Sequence, residues 1–172
     1  MEQPTTSARI ALKFGLISGV ALMIHSVLII VTEQYMNAWL SWPIQIIILA
    51  ICMVMAMKEY KEGNNGYMSY GQGLGIGTLM GAVAGILLSI YSYVYNEFID
   101  TTLKSTILNK VREDLENRGM SDDQIDQAMS MSEKFSSPGF GFVFGVLGTL
   151  FFAFLISLIA SAFQKKEKPA FE

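Results

Sequence analysis

The fold is decided by residues 71–95, which read GQGLGIGTLMGAVAGILLSIYSYVY. This stretch carries no charge, and within it a small residue recurs at every fourth position: Gly73, Gly77, Gly81, Gly85 and Ser89. Residues four apart lie on one face of an α-helix, so these positions form a smooth surface, which we call the glycine ridge. Small residues allow the backbones of two membrane helices to approach closely. The stretch therefore predicts a membrane-spanning helix that packs through its glycine ridge on another helix.

Other segments of the chain are also apolar enough to cross a bilayer. A helix needs roughly 20 apolar residues to span about 30 Å of hydrocarbon. Four predicted spans meet this requirement, at residues 14–32, 39–57, 73–95 and 140–163. With 52% hydrophobic and only 16% charged residues, the 172-residue chain is too apolar for an ordinary soluble domain. We therefore expect an all-α integral membrane protein, a four-helix bundle that forms one domain over residues 1–172.

Small-residue pairs occur in two other predicted spans. Gly15 and Gly19 lie four apart near the start of the first span, and Gly141 and Gly145 lie four apart in the fourth. The same spacing argument predicts that the pair in the fourth span packs helices together.

Residues 97–137, between the third and fourth spans, have a different composition. Residues 96–137 carry five basic and nine acidic side chains, too many to lie in lipid. Apolar residues at helical spacing predict one amphipathic helix that ends at Gly119 and a second that begins after Ser121. Ser121 and Gln124 have the spacing of a capping box. We expect a two-helix hairpin outside the membrane, with apolar faces that bury against each other, the membrane surface or a partner.

Basic residues at the span ends predict the orientation in the membrane. Seven of them fall on one side of the four-span arrangement: Arg9, Lys13, Lys58, Lys61, Lys165, Lys166 and Lys168. Lysine and arginine in short flanks stay on the cytoplasmic side. We therefore expect an inner (plasma) membrane protein with both termini cytoplasmic and the 97–137 hairpin extracytoplasmic.

The composition argues against several functional classes. Cys52 is the only cysteine, so an intrachain disulfide and a zinc site built on paired cysteines are both excluded. No basic stripe with interleaved aromatic residues is present, so nucleic acid is not an expected partner. The GQGLGIG run lacks the lysine of a P-loop and follows no strand. We expect no cofactor, no metal and no catalytic residue, and hence a protein that is not an enzyme.

Three polar residues in or beside the spans are candidate sites. His25, the only histidine, lies in the middle of the first span, and Gln45 lies in the second. The charged form of a histidine is costly in the bilayer, so His25 either serves proton relay or ligand binding or stays neutral and hydrogen-bonds between helices. Glu33 follows the first span, where it can join Glu97 and Asp100 in a cation site or remain an ordinary solvated carboxylate.

The connection between the second and third spans, residues 58–72, is longer than a turn requires. Its candidate interaction residues are Lys58, Lys61, Tyr67, Tyr70 and Gln72. Lysines beside aromatic residues suit anionic lipid headgroups or a protein partner, and they equally suit a simple interfacial anchor.

Two groups of residues carry a resemblance to a known family. The first group is Lys61, Gly66, Tyr67, Ser69, Gly71, Gln72 and Gly77, and the second is Gly119, Met120, Ser121, Asp122, Gln124, Ile125 and Pro138. With these residues the chain resembles the bacterial membrane proteins of domain-of-unknown-function family 4199 over nearly its whole length. The resemblance implies an inner-membrane protein and supplies no catalytic residues, since the family has no established activity.

These observations favour a non-enzymatic scaffold or accessory protein. We expect it to associate through glycine-rich helix faces, either as a homo-oligomer or with another membrane protein, within the lipid bilayer. The alternative is a small transporter or channel with His25 in its path.

Overall fold

A computed structural model of the chain describes residues 6–168. The described part contains six α-helices: α1 (Ser7–Val31), α2 (Ala38–Glu62), α3 (Tyr70–Val94), α4 (Leu103–Asn117), α5 (Asp122–Phe135) and α6 (Pro138–Gln164). A short 3₁₀ turn lies at Gln34–Met36, and a π-helical turn at Tyr95–Ile99 extends α3. No β-strand occurs among these residues, apart from one isolated bridge that pairs Met68 with Lys166. The predicted all-α architecture is confirmed.

Four of these helices are long and apolar enough to cross a membrane, namely α1, α2, α3 with its π-helical turn, and α6. They extend past the predicted spans: α1 begins at Ser7 instead of residue 14, and α2 continues to Glu62 instead of residue 57. At the start of α1, the Thr6 hydroxyl accepts a hydrogen bond from the Arg9 amide at 3.3 Å. In α2 the added residues are mainly lysine and glutamate, which favour helix outside the bilayer as well.

The described chain forms two compact units. The first combines residues 6–88 with 146–168, and therefore holds α1, α2 and most of α3 and α6. The second comprises Ser89–Gly145, which includes the remaining ends of α3 and α6 together with α4 and α5. The termini at residues 1–5 and 169–172 lie outside the described residues.

In the first unit the four long helices alternate in direction. Lys13 near the start of α1 contacts Glu59 near the end of α2, and Lys61 of α2 contacts Gln164 at the end of α6. The loop before α3 is also paired with the residues that follow α6. The beginnings of α1 and α3 and the ends of α2 and α6 therefore lie together, and we call this the polar end of the bundle.

Methionine is prominent in the core of the first unit. Four of its fully buried side chains are Met53, Met57, Met68 and Met80. A flexible thioether side chain fills irregular spaces that glycine-rich neighbours leave. The remaining core side chains are mainly aliphatic or small, and include Ile10, Ala11, Leu22, Leu49, Ala56, Ile76, Ala84 and Ala153.

The second unit contains the predicted hairpin. Helices α4 and α5 bury Leu103, Ile125 and Met129. The turn between them has Gly119 at φ +72°, a left-handed conformation that glycine adopts readily and that ends α4. The Ser121 amide donates to the Gln124 Oε1 at 3.2 Å, as the capping-box spacing predicts. The two amphipathic helices, the stop at Gly119 and the start at Ser121 are thus confirmed.

Candidate functional site

The glycine ridge of α3 lies against α6 in the first unit. A Cβ atom added at Gly73 would lie 2.7 Å from the Ser161 Oγ, and one at Gly85 would lie 3.1 Å from the Thr149 Cβ. At Gly81 an added Cβ would overlap Ala153. We call this contact the seam, and its facing pairs are Gly73 with Ser161, Gly77 with Ser157, Gly81 with Ala153, and Gly85 with Thr149. Close backbone approach here requires glycine on the α3 side.

Helix α6 contributes a matching stripe of small residues. Thr149, Ala153, Ser157 and Ser161 are its buried positions, and they too recur every four residues. In the second unit the same spacing continues, since a Cβ added at Gly145 would lie 2.6 Å from the Ser89 Oγ. Most of this stripe was not predicted from the sequence, because its serine, alanine and threonine residues, unlike the glycines of α6, give no distinct packing signal.

Gly141 takes no part in the seam. It is exposed, and a Cβ added there would have only the Phe135 carbonyl oxygen nearby among the described residues, at 3.9 Å. It lies in the first turn of α6, next to the end of α5. Of the two α6 glycines predicted to pack helices, Gly145 lies close to α3, whereas among the described residues Gly141 lies near only the last residue of α5.

Helix α1 packs on a different face of α3. A Cβ added at Gly15 would lie 2.7 Å from the Val83 Cβ, and one at Gly19 would lie 2.8 Å from the Leu87 Cδ1. Met53 of α2 also approaches α3, since its Sδ would lie 3.0 Å from a Cβ at Gly77. Helix α3 therefore contacts α1, α2 and α6, and is the central helix of the first unit.

The buried hydroxyl groups of the first unit bond mainly within their own helices. The Ser157 hydroxyl donates to the Phe154 carbonyl at 2.7 Å, and the Ser18 hydroxyl donates to the Gly15 carbonyl at 3.2 Å. Such bonds satisfy a hydroxyl where no water is available. The Ser161 Oγ is the exception, because it is buried without a hydrogen-bond partner in the described part of the chain.

Ion pairs and hydrogen bonds join helices at the polar end. The Lys13 Nζ lies 2.6 Å from one Glu59 carboxylate oxygen and 2.8 Å from the other. The Lys61 Nζ donates to the Gln164 Oε1 at 2.7 Å and to the Gln164 carbonyl at 3.2 Å. A cation placed on a carbonyl at a helix C-terminus satisfies an acceptor that the helix leaves open. Lys61 therefore acts within the chain, whereas Lys58 is exposed.

The connection before α3 is shorter than the sequence suggested. Only residues 63–69 lie outside helices, because α2 continues to Glu62 and α3 begins at Tyr70. Met68 is fully buried, and its amide donates to the Lys166 carbonyl at 2.9 Å. The Lys166 ammonium also lies 5.6 Å from the centre of the Tyr67 ring, within the range of a cation–π interaction.

Gln72 and Tyr70 also have partners within the chain. The Gln72 Oε1 accepts from the Ser69 amide at 2.9 Å, and the Ser69 Oγ accepts from the Gln72 amide at 3.3 Å. These reciprocal bonds form a capping box that starts α3, and the Ser-x-x-Gln spacing was the sequence signal for it. The Tyr70 hydroxyl donates to the Leu158 carbonyl of α6 at 3.4 Å.

His25 and Gln45, the polar candidates inside the spans, are both half-buried. His25 lies in α1 and its Nε2 is buried, with no hydrogen-bond partner among residues 6–168. Gln45 lies in α2. The side chain of His25 therefore keeps one polar atom unsatisfied, which is unusual in a protein interior.

The candidate cation site is not assembled in the described residues, which contain no group of three His, Cys, Asp or Glu side chains able to hold a metal ion. Glu33 is an exposed residue with φ 55° in the turn after α1. Asp100 instead starts α4: its Oδ1 accepts from the Thr102 hydroxyl at 2.7 Å and from the Leu103 amide at 3.0 Å. The hydrogen bond from Thr102 lowers the pKa of the Asp100 carboxyl.

Comparison with known proteins gives one family. The model of a family described as "Protein of unknown function (DUF4199)" matches residues 13–166. No curated protein matches the chain. No solved structure matches it either. Because the family match covers most of the sequence, including most of α1, the other three long helices and the hairpin, the chain belongs to the DUF4199 family.

Proposed function

We propose that this DUF4199 protein is a non-enzymatic scaffold or accessory protein of the bacterial inner membrane, with both termini in the cytoplasm. Its helical architecture and four potential membrane spans are common to many functions, so the proposal rests on the interior and on the polar end. The proposal requires the predicted partners, namely the lipid bilayer and either a second copy of the chain or another membrane protein.

The observation that carries the proposal is the composition of the buried residues. None of the buried side chains among residues 6–168 belongs to Asp, Glu, Lys, Arg or His. A transporter or channel passes its substrate along polar or charged groups that line a path through the membrane. In the first unit that space is occupied by glycine, small hydroxyl residues and methionine. A filled interior favours a function exerted through the outer surface.

The polar end supports the same proposal. Two of the predicted interaction residues have structural contacts instead. Lys61 joins α2 to α6, and Gln72 caps the start of α3. An enzyme at the membrane surface would need a nucleophile with a base, or a metal cluster. Lys13, Glu59 and Lys61 at this end instead make contacts between helices, which is a structural role.

The seam occupies the glycine ridge within the chain, so association needs another face. Gly71 and Gly75 are exposed on α3, four residues apart, and an added Cβ at either would have no described heavy atom within 4 Å. A pair of small residues open to lipid is a surface that a helix of another chain can approach closely. This pair is the first face to test for association.

Native mass spectrometry after extraction into lipid nanodiscs tests the proposal. We expect a defined homo-oligomer, or a stoichiometric complex with one membrane protein, that Gly75→Leu dissociates. Gly148→Leu is the matched control, since Gly148 also has no described atom within 4 Å of an added Cβ. A monomer that retains a stoichiometric small molecule would overturn the scaffold proposal. A complex that both variants leave intact would exclude the Gly71 and Gly75 face as the association surface, but it would not contradict the scaffold proposal.

One observation favours a second candidate, a proton-coupled carrier. The buried, unsatisfied Nε2 of His25 is a titratable atom inside a membrane-spanning helix. Liposomes with an entrapped pH indicator and an imposed potassium diffusion potential test this candidate. The scaffold proposal expects proton entry no faster than in protein-free liposomes, for wild type and His25→Ala alike. Rapid entry through the wild-type protein that His25→Ala abolishes would favour the carrier.

A further inference from the structure

Several apolar side chains of the second unit lie at the end of the third long helix or in the hairpin, and they remain exposed. Phe98 and Ile99, in the π-helical turn after α3, are 74% and 66% exposed. Met131 and Phe135, near the end of α5, are 57% and 50% exposed. Four large apolar residues on one small unit are more than a water-facing hairpin needs to display. We call these four residues the apolar apron.

The apolar apron is continuous with the ends of the long helices. The Phe98 ring packs edge-on against Tyr93 of α3, with a centroid distance of 6.3 Å. The Phe135 ring packs edge-on against Phe140 and Phe144 of α6, at 6.4 Å and 5.3 Å. All of these contacts lie within residues 89–145. Because α3 and α6 are long and apolar enough to cross a membrane, their rings extend a lipid-facing surface onto the hairpin.

Helix α5 carries two separate apolar stripes. Ile125 and Met129 are buried on the face that packs with α4. Met131 and Phe135 are also four residues apart, but a rotation of about 100° per residue places them on a different side of the helix. The first stripe is used by the hairpin itself. In the second stripe Met131 is exposed, and Phe135 stays half exposed although its ring contacts Phe140 and Phe144.

Polarity also changes along α5. Asp122 and Asp123 lie in its exposed first turn, next to the Gly119 turn, whereas Met131 and Phe135 lie near the end that connects to α6, where Glu133 and Lys134 are also exposed. A helix with a polar end directed to water and an apolar side near the spans suits the boundary between headgroups and acyl chains. Residues 96–137 carry more acidic than basic side chains, so attraction to anionic headgroups does not account for this position.

We propose that the hairpin rests on the bilayer surface through the apolar apron, with Phe98, Ile99, Met131 and Phe135 inserted at the headgroup and acyl-chain boundary. The occupant of this surface is lipid, and the contact is hydrophobic. The Gly119 turn projects into water. The hairpin is thereby a membrane-resting element instead of a free extracytoplasmic domain, and this conclusion is independent of whether the protein is a scaffold.

Spin-label accessibility in liposomes tests the proposal. In a Cys52→Ala background, a nitroxide is attached to Phe135→Cys, Met131→Cys or Phe98→Cys, and to Arg118→Cys as the water-facing control. Collision rates are measured with oxygen, which concentrates in lipid, and with a water-soluble nickel chelate. We expect oxygen collisions to dominate at residues 98, 131 and 135 and nickel collisions to dominate at residue 118.

Each alternative result contradicts the proposal. Nickel collisions that dominate at residues 131 and 135 would place the apolar apron in water. Protection from both reagents would mean that a second copy or another protein covers it. Because three positions are labelled separately, a variant that fails to fold leaves two independent measurements. We also expect the collision rates to be unchanged by raised salt concentration, since a hydrophobic contact is not screened; release of residue 135 into water by salt would indicate an electrostatic contact.

Discussion

The seam between α3 and α6 and the hairpin of α4 and α5 solve the same packing problem in different ways. In the seam, glycines of α3 lie against serine, alanine and threonine of α6, so that the two apolar helices approach closely. The hairpin buries large side chains, Leu103, Ile125 and Met129, between two amphipathic helices. In lipid, apolar surface gives no preference for another helix, so close fit decides. In water, burial of apolar surface is itself the driving force.

This difference makes the two regions sensitive to opposite changes. The seam should fail when a side chain is enlarged, and the hairpin should fail when one is reduced.

Gly81→Leu should have the largest effect. A Cβ at Gly81 would already overlap Ala153, so a leucine must separate α3 from α6. Overpacked cores typically lose about 1–3 kcal/mol, and we expect the upper end or more because backbone atoms of α6 also lie nearby. The measurement is the thermal midpoint of the protein in detergent. Gly148→Leu is the control, since its added side chain enters open space. Equal midpoints for both variants would contradict a tight seam.

Ile125→Ala should destabilise the hairpin alone. Ile125 is 3% exposed, and loss of such a side chain leaves a cavity that costs about 2–5 kcal/mol. Amide hydrogen exchange should accelerate throughout α4 and α5 while α1 and α2 keep their protection. The neighbouring exposed position supplies the control, since Asp126→Ala removes only an exposed ion pair with Arg112. Faster exchange throughout the first unit would show that the two regions unfold together.

Gln72→Ala should have a smaller effect, confined to the start of α3. It removes the bond from Gln72 Oε1 to the Ser69 amide, one half of the capping box. Loss of a helix cap costs about 1 kcal/mol. We expect faster exchange of the amides at the beginning of α3 and a slightly lower thermal midpoint. Glu59→Gln is the comparison, because the exposed pair with Lys13 is worth less than about 1 kcal/mol. A larger loss from Glu59→Gln would reverse this ranking.

Acidification should have the smallest effect, at the start of α4. The bond from Thr102 lowers the pKa of Asp100 in the folded protein, so the ionised carboxylate is the form that stabilises the helix start. This stability is present above the ordinary carboxyl pKa and is lost as pH falls through the lowered one. The Leu103 amide should therefore exchange faster in acid, after correction for intrinsic exchange, and Asp100→Asn should remove most of that dependence. An unchanged pH profile in Asp100→Asn would contradict the assignment.

Much of the fold could be predicted from sequence because membrane spans and helix caps leave local signals. The apolar segments predicted α1, α2, α3 and α6, and the amphipathic spacing with Gly119 and Ser121 predicted the hairpin. The boundaries were less predictable. Lysine and glutamate sustain a helix beyond the bilayer, which is why α2 reaches Glu62 and the following loop is short.

The site residues show where local signals stop. The spacing of Gly73, Gly77, Gly81 and Gly85 indicated one side of a helix contact, but a spacing does not identify its partner. The buried stripe on α6 consists of threonine, alanine and serine. These residues are also common on lipid-facing positions, so they do not mark a helix contact. Likewise, the bonds from Lys61 to Gln164 and from Met68 to Lys166 join residues about 100 positions apart in sequence, and no local pattern predicts them.

The most direct test of the seam is an intrachain disulfide formed in native membranes. In a Cys52→Ala background, Gly73→Cys is combined with Ser161→Cys and exposed to a mild oxidant. An added Cβ at Gly73 lies 3.1 Å from the Ser161 Cβ, close to the separation of about 3.5–4.5 Å found in disulfides. We predict rapid loss of both free thiols in the monomer for this pair, and slow loss when Gly75→Cys replaces Gly73→Cys. Equal rates, or faster reaction of the Gly75→Cys pair, would contradict the proposed register of α3 on α6.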